Sequence, residues 1–215
     1  MPANAERIAI PSASSRMHAP AFGFLTEVAG LQMATINLRT LWFELADGRQ
    51  IVCCRGSDVP KLVGLGVADV GVTGYDVAVE EILAGGVELN IFAAQPVRTS
   101  FVSFVGVRSR AKITRLYTEY PNITRAWLGA GAPVGSDALI VEVQGSSEGI
   151  IRSDDSAGGV LLVTSGETLQ QNGLDLSVPL LATDLCFVTR ASASGHESSL
   201  SALYRSPLGL PDFCK

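Results

Sequence analysis

Apolar and polar positions alternate in short bursts along this chain, and each burst predicts an element. "RIAIPSASS" (Arg7–Ser15) predicts a buried strand ended by Pro11 and a loop of small residues. Ala19–Gly30 carries helical spacing and closes on a glycine suited to a C-terminal cap. "LWFELADGRQIVCCR" places Asp47-Gly48 between two apolar runs, the signature of a β-hairpin. "SDVPKLVGLGVADVGVTGYDVAVEEIL" predicts a helix opened by Ser57 or Asp58, a short strand in "ADVGVTG" and a second helix from Tyr75. Ser100–Val107 reads as another strand. "RLYTEYPNITRAWLGAG" reads as a strand, a proline-marked helix start and a glycine stop, and "ALIVEVQGSSEGII" as a strand, a loop and a short helix. In "VLLVTSGETLQQNGL" (Val160–Leu174) an apolar run meets a Thr-Ser-Gly-Glu-Thr turn, and a helix follows that stops at Asn172-Gly173. "LLATDLCFVTR" is one further strand, and the tail "ASASGHESSLSALYRSPLGLPDFCK" reads as half helical and half loose. Strands alternating with helices predict an α/β fold with mixed, mostly parallel sheets.

The 215 residues are 47% hydrophobic and 17% charged, which is enough core for one large domain or two small lobes. The polar connection Ser109–Arg115 lies near where a second lobe would begin. A net charge of −5 offers no basic field for nucleic acid or an anionic membrane. Thirteen of the 16 cations are arginine, whose planar fork suits phosphate and carboxylate, although a lysine-poor composition would look the same. The four cysteines form no CxxC, and with only two histidines a Cys/His zinc site is disfavoured. Cys53 and Cys54 are strand neighbours, so they point to opposite faces and read as buried reduced thiols. The N-terminus carries no basic segment followed by an apolar stretch, and no apolar run reaches membrane-spanning length. The expectation is a soluble, cytoplasmic chain.

In open α/β sheets ligands sit beyond the carboxyl ends of the strands. Thr164, Ser165, Gly166, Glu167 and Thr168 occupy such a place: Gly166 allows positive φ, successive N–H groups can point at one anion, and Ser165 and Thr168 add hydroxyls. A plain helix cap, with Ser or Thr satisfying its own turn, accounts for the same residues. "GSSE" (Gly145–Glu148) and "VTGYD" (Val72–Asp76) follow strands in the same way and can equally be ordinary loops. Arg16, Arg55 and Arg98 lie beside predicted strand ends, within reach of phosphates or simply solvated. No nucleophile–base pair is visible, which argues against hydrolase chemistry.

Taken in order from Arg7 to about Arg190, these segments resemble the catalytic subunit of ATP phosphoribosyltransferase, the first enzyme of histidine biosynthesis. "RIAIP" with "SSRM" is similar to that family's opening strand and loop. "CRGSDVPKLVGLGVADVGVTGYDV" is similar to its Arg-x-x-Asp-Val-Pro helix, Gly-Val-Ala-Asp strand and Gly-x-Asp-Val turn. "RLYTEYPNITRAWL" resembles its Ala-Thr-Glu-Tyr-Pro-Asn segment, "GSSE" its Gly-Ser-Val-Glu, and "TSGETLQQNGL" its phosphoribosyl-pyrophosphate loop.

The resemblance implies two α/β lobes of the type II periplasmic-binding-protein kind with the active site in a cleft. The lobes would be residues 1–98 with 182–215, and 99–181 carrying the phosphate loop. It implies the short form of the enzyme, Mg²⁺ as cofactor, ATP and phosphoribosyl pyrophosphate as substrates, a dimer or higher homo-oligomer, and a regulatory subunit similar to histidyl-tRNA synthetase. Residue by residue, Thr164–Thr168 would cradle the 5-phosphate, and Arg16, Arg55, Asp69 and Asp76 would bind nucleotide or pyrophosphate. Glu148 and Arg16 would act at the reacting centre, with Glu148 contacting a ribose or the metal; the resemblance assigns no other metal ligand.

The chain departs from the family where acids are expected. The family's strand before the phosphate loop has a pattern like Asp-x-Ile-Val-Asp-x-x-Glu-Thr-Gly, and its three acid positions fall on Ala157, Leu161 and Thr164. Leu161 accepts no hydrogen bond, so ribose hydroxyls would lose a charged partner worth roughly 1.5–3 kcal/mol, for which Asp154, Asp155 or Glu167 are substitutes, the first two well before the strand end. An arginine of the family falls on Ser100, with Arg98 two residues away on the same strand face. Three readings therefore stand: a working ATP phosphoribosyltransferase, in histidine biosynthesis or a paralogous purine-like pathway; a transferase with another acceptor; or a catalytically silent nucleotide-binding or regulatory subunit.

Overall fold

The structure is a computed structural model that describes residues 5–28, 30–31, 39–94, 100–108, 112–191 and 207–214. The expectations for Arg98 and for most of the tail, 192–206, fall outside those residues. The fold is α/β, in two compact units: Met1–Val97 with Asp184–Gly209, and Arg98–Thr183 with Leu210–Lys215.

The first unit is built on a six-stranded sheet. Its strands are β1 (Arg7–Pro11), β2 (Trp42–Glu44), β3 (Gln50–Cys54), β4 (Val70–Gly74), β5 (Leu89–Ala93) and β11 (Leu185–Arg190), in the order β2-β3-β1-β4-β11-β5. β1 pairs in parallel with β3 and β4, while β11 runs antiparallel between β4 and β5. β1, β3, β4 and β5 thus share one direction, and only β2 and β11 oppose it. The expected hairpin is present: β2 pairs with β3 across a turn in which Gly48 takes φ 88° and Arg49 N donates to Asp47 Oδ1 at 3.0 Å.

The helices of this unit are α1 (His18–Gly23), α2 (Val59–Gly64) and α3 (Tyr75–Leu83). The helix expected over Ala19–Gly30 is α-helical only to Gly23 and then widens into a π-turn, Phe24–Val28. Thr26 Oγ1 donates to the carbonyls of Phe22 and Gly23, both at 3.1 Å, and such back-bonding competes with the regular ladder. The wider turn delivers Phe24 and Leu25 to the core, where Phe24, Phe187 and Phe92 stack in sequence. Two expectations need correcting. β5 was not foreseen, although "LNIFA" is a short apolar run after Gly85-Gly86. "LLATDLCFVTR" is not one strand, because Asp184 divides it and its halves belong to different sheets.

The second unit holds β6 (Ser100–Gly106), β7 (Arg115–Thr118), β8 (Leu139–Glu142), β9 (Ala157–Val163) and β10 (Leu176–Thr183), in the order β10-β6-β9-β7-β8. β7 is parallel to both β8 and β9, and β6 is antiparallel to β9 and β10. Its helices are α4 (Pro121–Gly129), α5 (Glu148–Ser153) and α6 (Glu167–Gln171). On one face Trp127 of α4 packs on Phe104, ring centroids 5.2 Å apart. On the other, Val105, Ile151, Leu161, Leu169 and Leu174 form the core beneath α5 and α6. Glycines in β9 let the two layers close: a Cβ on Gly159 would overlap Ile151 Cδ1. The last residues, expected in the first lobe, belong to the second unit, where the 3-10 turn Asp212–Cys214 lies against α4.

Candidate active site

In the second unit three loops leave the carboxyl ends of three adjacent parallel strands: Glu119–Tyr120 after β7, Val143–Ser147 after β8, and Thr164–Gly166 after β9. Each leads into a helix, so helix amino ends gather along one edge of the sheet. The β9 turn is shaped by Gly166, which caps α6 with φ 74°. Glu167 N–H donates to Ser165 Oγ at 3.4 Å, and Gln170 N–H closes on the carbonyl of Gly166 at 3.1 Å. The amides of a helix's first turn have no intrahelical acceptor, and this turn holds them at the surface with Thr164, Ser165 and Thr168 exposed. Thr164 Oγ1 also shares a hydrogen bond of 3.0 Å with Ser100 Oγ at the start of β6, fixing the rim of the turn.

The β8 loop is the most constrained of the three. Gly145 (φ 69°) and Ser146 (φ 51°) both take left-handed backbone, which costs a serine about 1–2 kcal/mol. Ser147 is buried at the start of α5 and Glu148 opens that helix, half-buried. The β7 loop is fixed by Thr118, which is fully buried. Its Oγ1 donates to the carbonyl of Val160 at 2.7 Å and accepts from Tyr120 N–H at 2.8 Å. Thr124 donates to Thr118 Oγ1 at 3.2 Å and to the carbonyl of Tyr120 at 2.7 Å. Glu119, between β7 and α4, carries no sequence signal of its own, because a charged residue at a helix entrance reads as surface.

The first unit has its own loop edge at the carboxyl ends of β3, β1 and β4. Ser12 N–H donates to the carbonyl of Cys54 at 2.6 Å and Thr73 Oγ1 to that of Gly56 at 3.1 Å, tying the three loops together. Arg16 and Arg55 both stand exposed on this edge. Asp76 is on the same edge but 5% exposed, turned in against Gly74 in the first turn of α3, where a carboxylate complements the helix dipole.

Asp69 is elsewhere. It precedes β4 at the amino end, where its Oδ2 accepts from Arg7 N–H at 2.8 Å, so it secures the start of β1 on the opposite edge of the sheet. That placement separates it from Arg16, Arg55 and Asp76.

The three acid positions also separate. Ala157 is fully buried at the amino end of β9, six residues or about 20 Å of strand from Val163. Leu161 is 5% exposed and faces the core under α5 and α6. Only Thr164 lies at the turn. Asp154, at the amino end of β9, is committed to structure. Its carboxylate accepts from Ser156 N–H at 2.9 Å, Ser156 Oγ at 2.8 Å, Arg115 at 2.9 Å and Tyr117 at 3.2 Å. These bonds, led by those from Ser156, hold its pKa well below the ordinary carboxylate range.

Cys53 is buried and Cys54 half-buried, both as free thiols on opposite faces of β3. Burial, followed by the charge of Asp58 and by Cys53, pushes the Cys54 thiol up to about 12. A thiol so far above its usual range is no nucleophile. Among the described residues no three His, Cys, Asp or Glu side chains gather as a metal site, and no helix is long and apolar enough to cross a membrane.

The family model for ATP phosphoribosyltransferase matches residues 55–206. An ATP phosphoribosyltransferase of Methanopyrus kandleri is 31% identical over 88% of this chain and 67% of that protein. One of Metallosphaera sedula is 33% identical over 78% of this chain and 59% of that protein. The chain therefore spans about three fifths to two thirds of the length of these curated relatives. Among solved structures, the ATP phosphoribosyl transferase (HisG:HisZ) complex from Thermotoga maritima superposes with a TM-score of 0.69 at 23% identity, covering 86% of this chain and 87% of that one. With the matched region spanning every loop of the second unit's strand edge, this chain belongs to the ATP phosphoribosyltransferase family.

Proposed function

We propose that this chain transfers the 5-phosphoribosyl group of phosphoribosyl pyrophosphate to N1 of ATP, giving phosphoribosyl-ATP and pyrophosphate. The observation that carries the reading is the β9 turn. Its left-handed Gly166, first-turn amides and exposed hydroxyls of Thr164, Ser165 and Thr168 suit a 5-phosphate.

In the reaction adenine N1 forms a bond to C1 of the ribose while the bond from C1 to the pyrophosphate oxygen breaks. Charge builds on the ring as in an oxocarbenium ion, so the protein's task is positioning and electrostatics rather than covalent catalysis. Glu148, which opens α5 after the β8 loop on the same edge, is the candidate carboxylate for a ribose or the metal. Arg16 and Arg55, exposed on the first unit's loop edge, suit the nucleotide phosphates or the leaving pyrophosphate. Asp76 supports that edge from within. Among the described residues no three His, Cys, Asp or Glu side chains form a metal cage; Mg²⁺ bound through substrate phosphates, with few protein ligands, would supply charge neutralisation on the pyrophosphate. A cytoplasmic location, a homo-oligomer and a regulatory partner similar to histidyl-tRNA synthetase belong to the same proposal; the Thermotoga maritima relative was solved as a HisG:HisZ complex.

A second reading, nucleotide binding without turnover, draws on one observation. None of positions 157, 161 and 164 supplies a carboxylate, and two of them are buried. Mass spectrometry of the chain with ATP, phosphoribosyl pyrophosphate and Mg²⁺ separates the two. Phosphoribosyl-ATP supports the transferase; ligand binding with no product, alone and with a regulatory subunit added, rejects it in favour of the binding role.

A further inference from the structure

We infer that Glu119 recognises the ribose hydroxyls of the phosphoribosyl donor, taking over the part for which the strand β9 has no acid; the assignment rests on the phosphoribosyl reading above. The reasoning starts from where a sugar must lie once its phosphate is on the β9 turn. Adjacent strands are about 4.8 Å apart, and β7 is the neighbour of β9 on the side of β8. A sugar reaching from the turn toward the parallel neighbour β7, rather than toward β6 on the other side, lies over the carboxyl end of β7, and the residue there is Glu119.

Its surroundings fit the role. Thr118 and Tyr120 on either side are buried and hydrogen-bonded, so the backbone that carries Glu119 is fixed while its side chain is exposed. Glu119 Oε1 leans over the β8 loop, 3.7 Å from where a Cβ on Gly145 would stand. The carboxylate makes no hydrogen bond or ion pair with the other described residues, which leaves both oxygens for a vicinal pair of hydroxyls. The other acids of this edge fit less well. Glu167 is on the phosphate turn itself, where its charge opposes the phosphate, Glu148 is half-buried at the start of α5, and Glu142 ends the outermost strand β8.

The test is calorimetric titration with ribose 5-phosphate and with 2-deoxyribose 5-phosphate of the unaltered chain, Glu119→Gln and, as a control on the same edge, Glu142→Gln. The unaltered chain and Glu142→Gln should prefer the ribose compound roughly tenfold or more, the share of one charged hydrogen bond. Glu119→Gln should bring the ratio near one, and should weaken binding of the 2-deoxy compound, which keeps the 3-hydroxyl, by no more than the share of that one hydrogen bond. A Glu119→Gln chain that keeps the preference, an unaltered chain with none, or a Glu142→Gln chain that also loses it overturns the role of Glu119 while the phosphate site stands. Failure of the unaltered chain to bind either sugar phosphate overturns the phosphoribosyl reading and this one with it.

Discussion

Restoring the family's acid at Leu161 should unfold the second unit before it improves any site. Leu161 is 5% exposed among Val105, Ile151, Leu169 and Leu174, none of which can donate a hydrogen bond from its side chain. Leu161→Asp forfeits about 1.5–3 kcal/mol of apolar burial and adds an unpaired buried carboxylate. The sum at neutral pH is roughly 4–5 kcal/mol, a large part of a domain's stability. Burial raises the folded-state pKa of the new acid above its unfolded value near 3.9, so the charge penalty is absent below about pH 4. It grows by about 1.4 kcal/mol per pH unit until the folded pKa is passed. Leu161→Asn carries a similar shape and no titration, so the gap between the two variants should widen from pH 5 to pH 7.5. Urea denaturation followed by Trp127 fluorescence measures this directly, because Trp127 is buried on Phe104 in the same unit whereas Trp42 is 54% exposed in the other. A Leu161→Asp chain with an unchanged midpoint and faster turnover would refute the reasoning and put position 161 against the ligand.

Three further outcomes are expected. Gly159→Ala should cost about 1–3 kcal/mol by overpacking, since the added Cβ meets Ile151 Cδ1 and stands 3.0 Å from the carbonyl oxygen of Tyr117; an unchanged urea midpoint would contradict the close sheet–helix contact. Cys54, with its thiol pushed up to about 12, should resist iodoacetamide at pH 8 in the folded chain and react once unfolded, as read by peptide mass. Asp154→Asn should lower the melting temperature at pH 7. Because the folded pKa of Asp154 is depressed, that stabilisation is present above about pH 4 and fades as the pH falls further, so melting curves of the two chains should converge in acid.

The sequence was most legible where one residue type forces one geometry. Asp47-Gly48 announced its hairpin, Gly166 its turn and Pro121 its helix start, because φ limits act locally. It was least legible where partners decide. The apolar run through Asp184 looks continuous, and only the pairing of β10 with β6 and of β11 with β4 and β5 reveals two strands. β5 is hidden for the same reason, since β11, with which it pairs, lies about a hundred residues downstream. The sequence pattern marked the segments after β8 and β9 as loops that follow strands, but motif order does not say at which end of a strand a residue stands. Asp69, at the amino end of β4, was thereby grouped with residues on the opposite edge, and Glu119 went unremarked beside the loops it joins.

The interleaving of β11 also orders events during synthesis. Nearly all of the second unit, Arg98–Thr183, is contiguous in the chain, and its five strands all precede β11. β5 cannot join its sheet until then, because β11 is the strand that connects it to β4. A growing chain should therefore have made every strand of the later-coded sheet while the earlier sheet still waits with the flank of β4 open. Strand edges left unpaired for that interval are where a growing chain is most exposed to misassociation, and the wait lasts as long as about ninety residues take to translate.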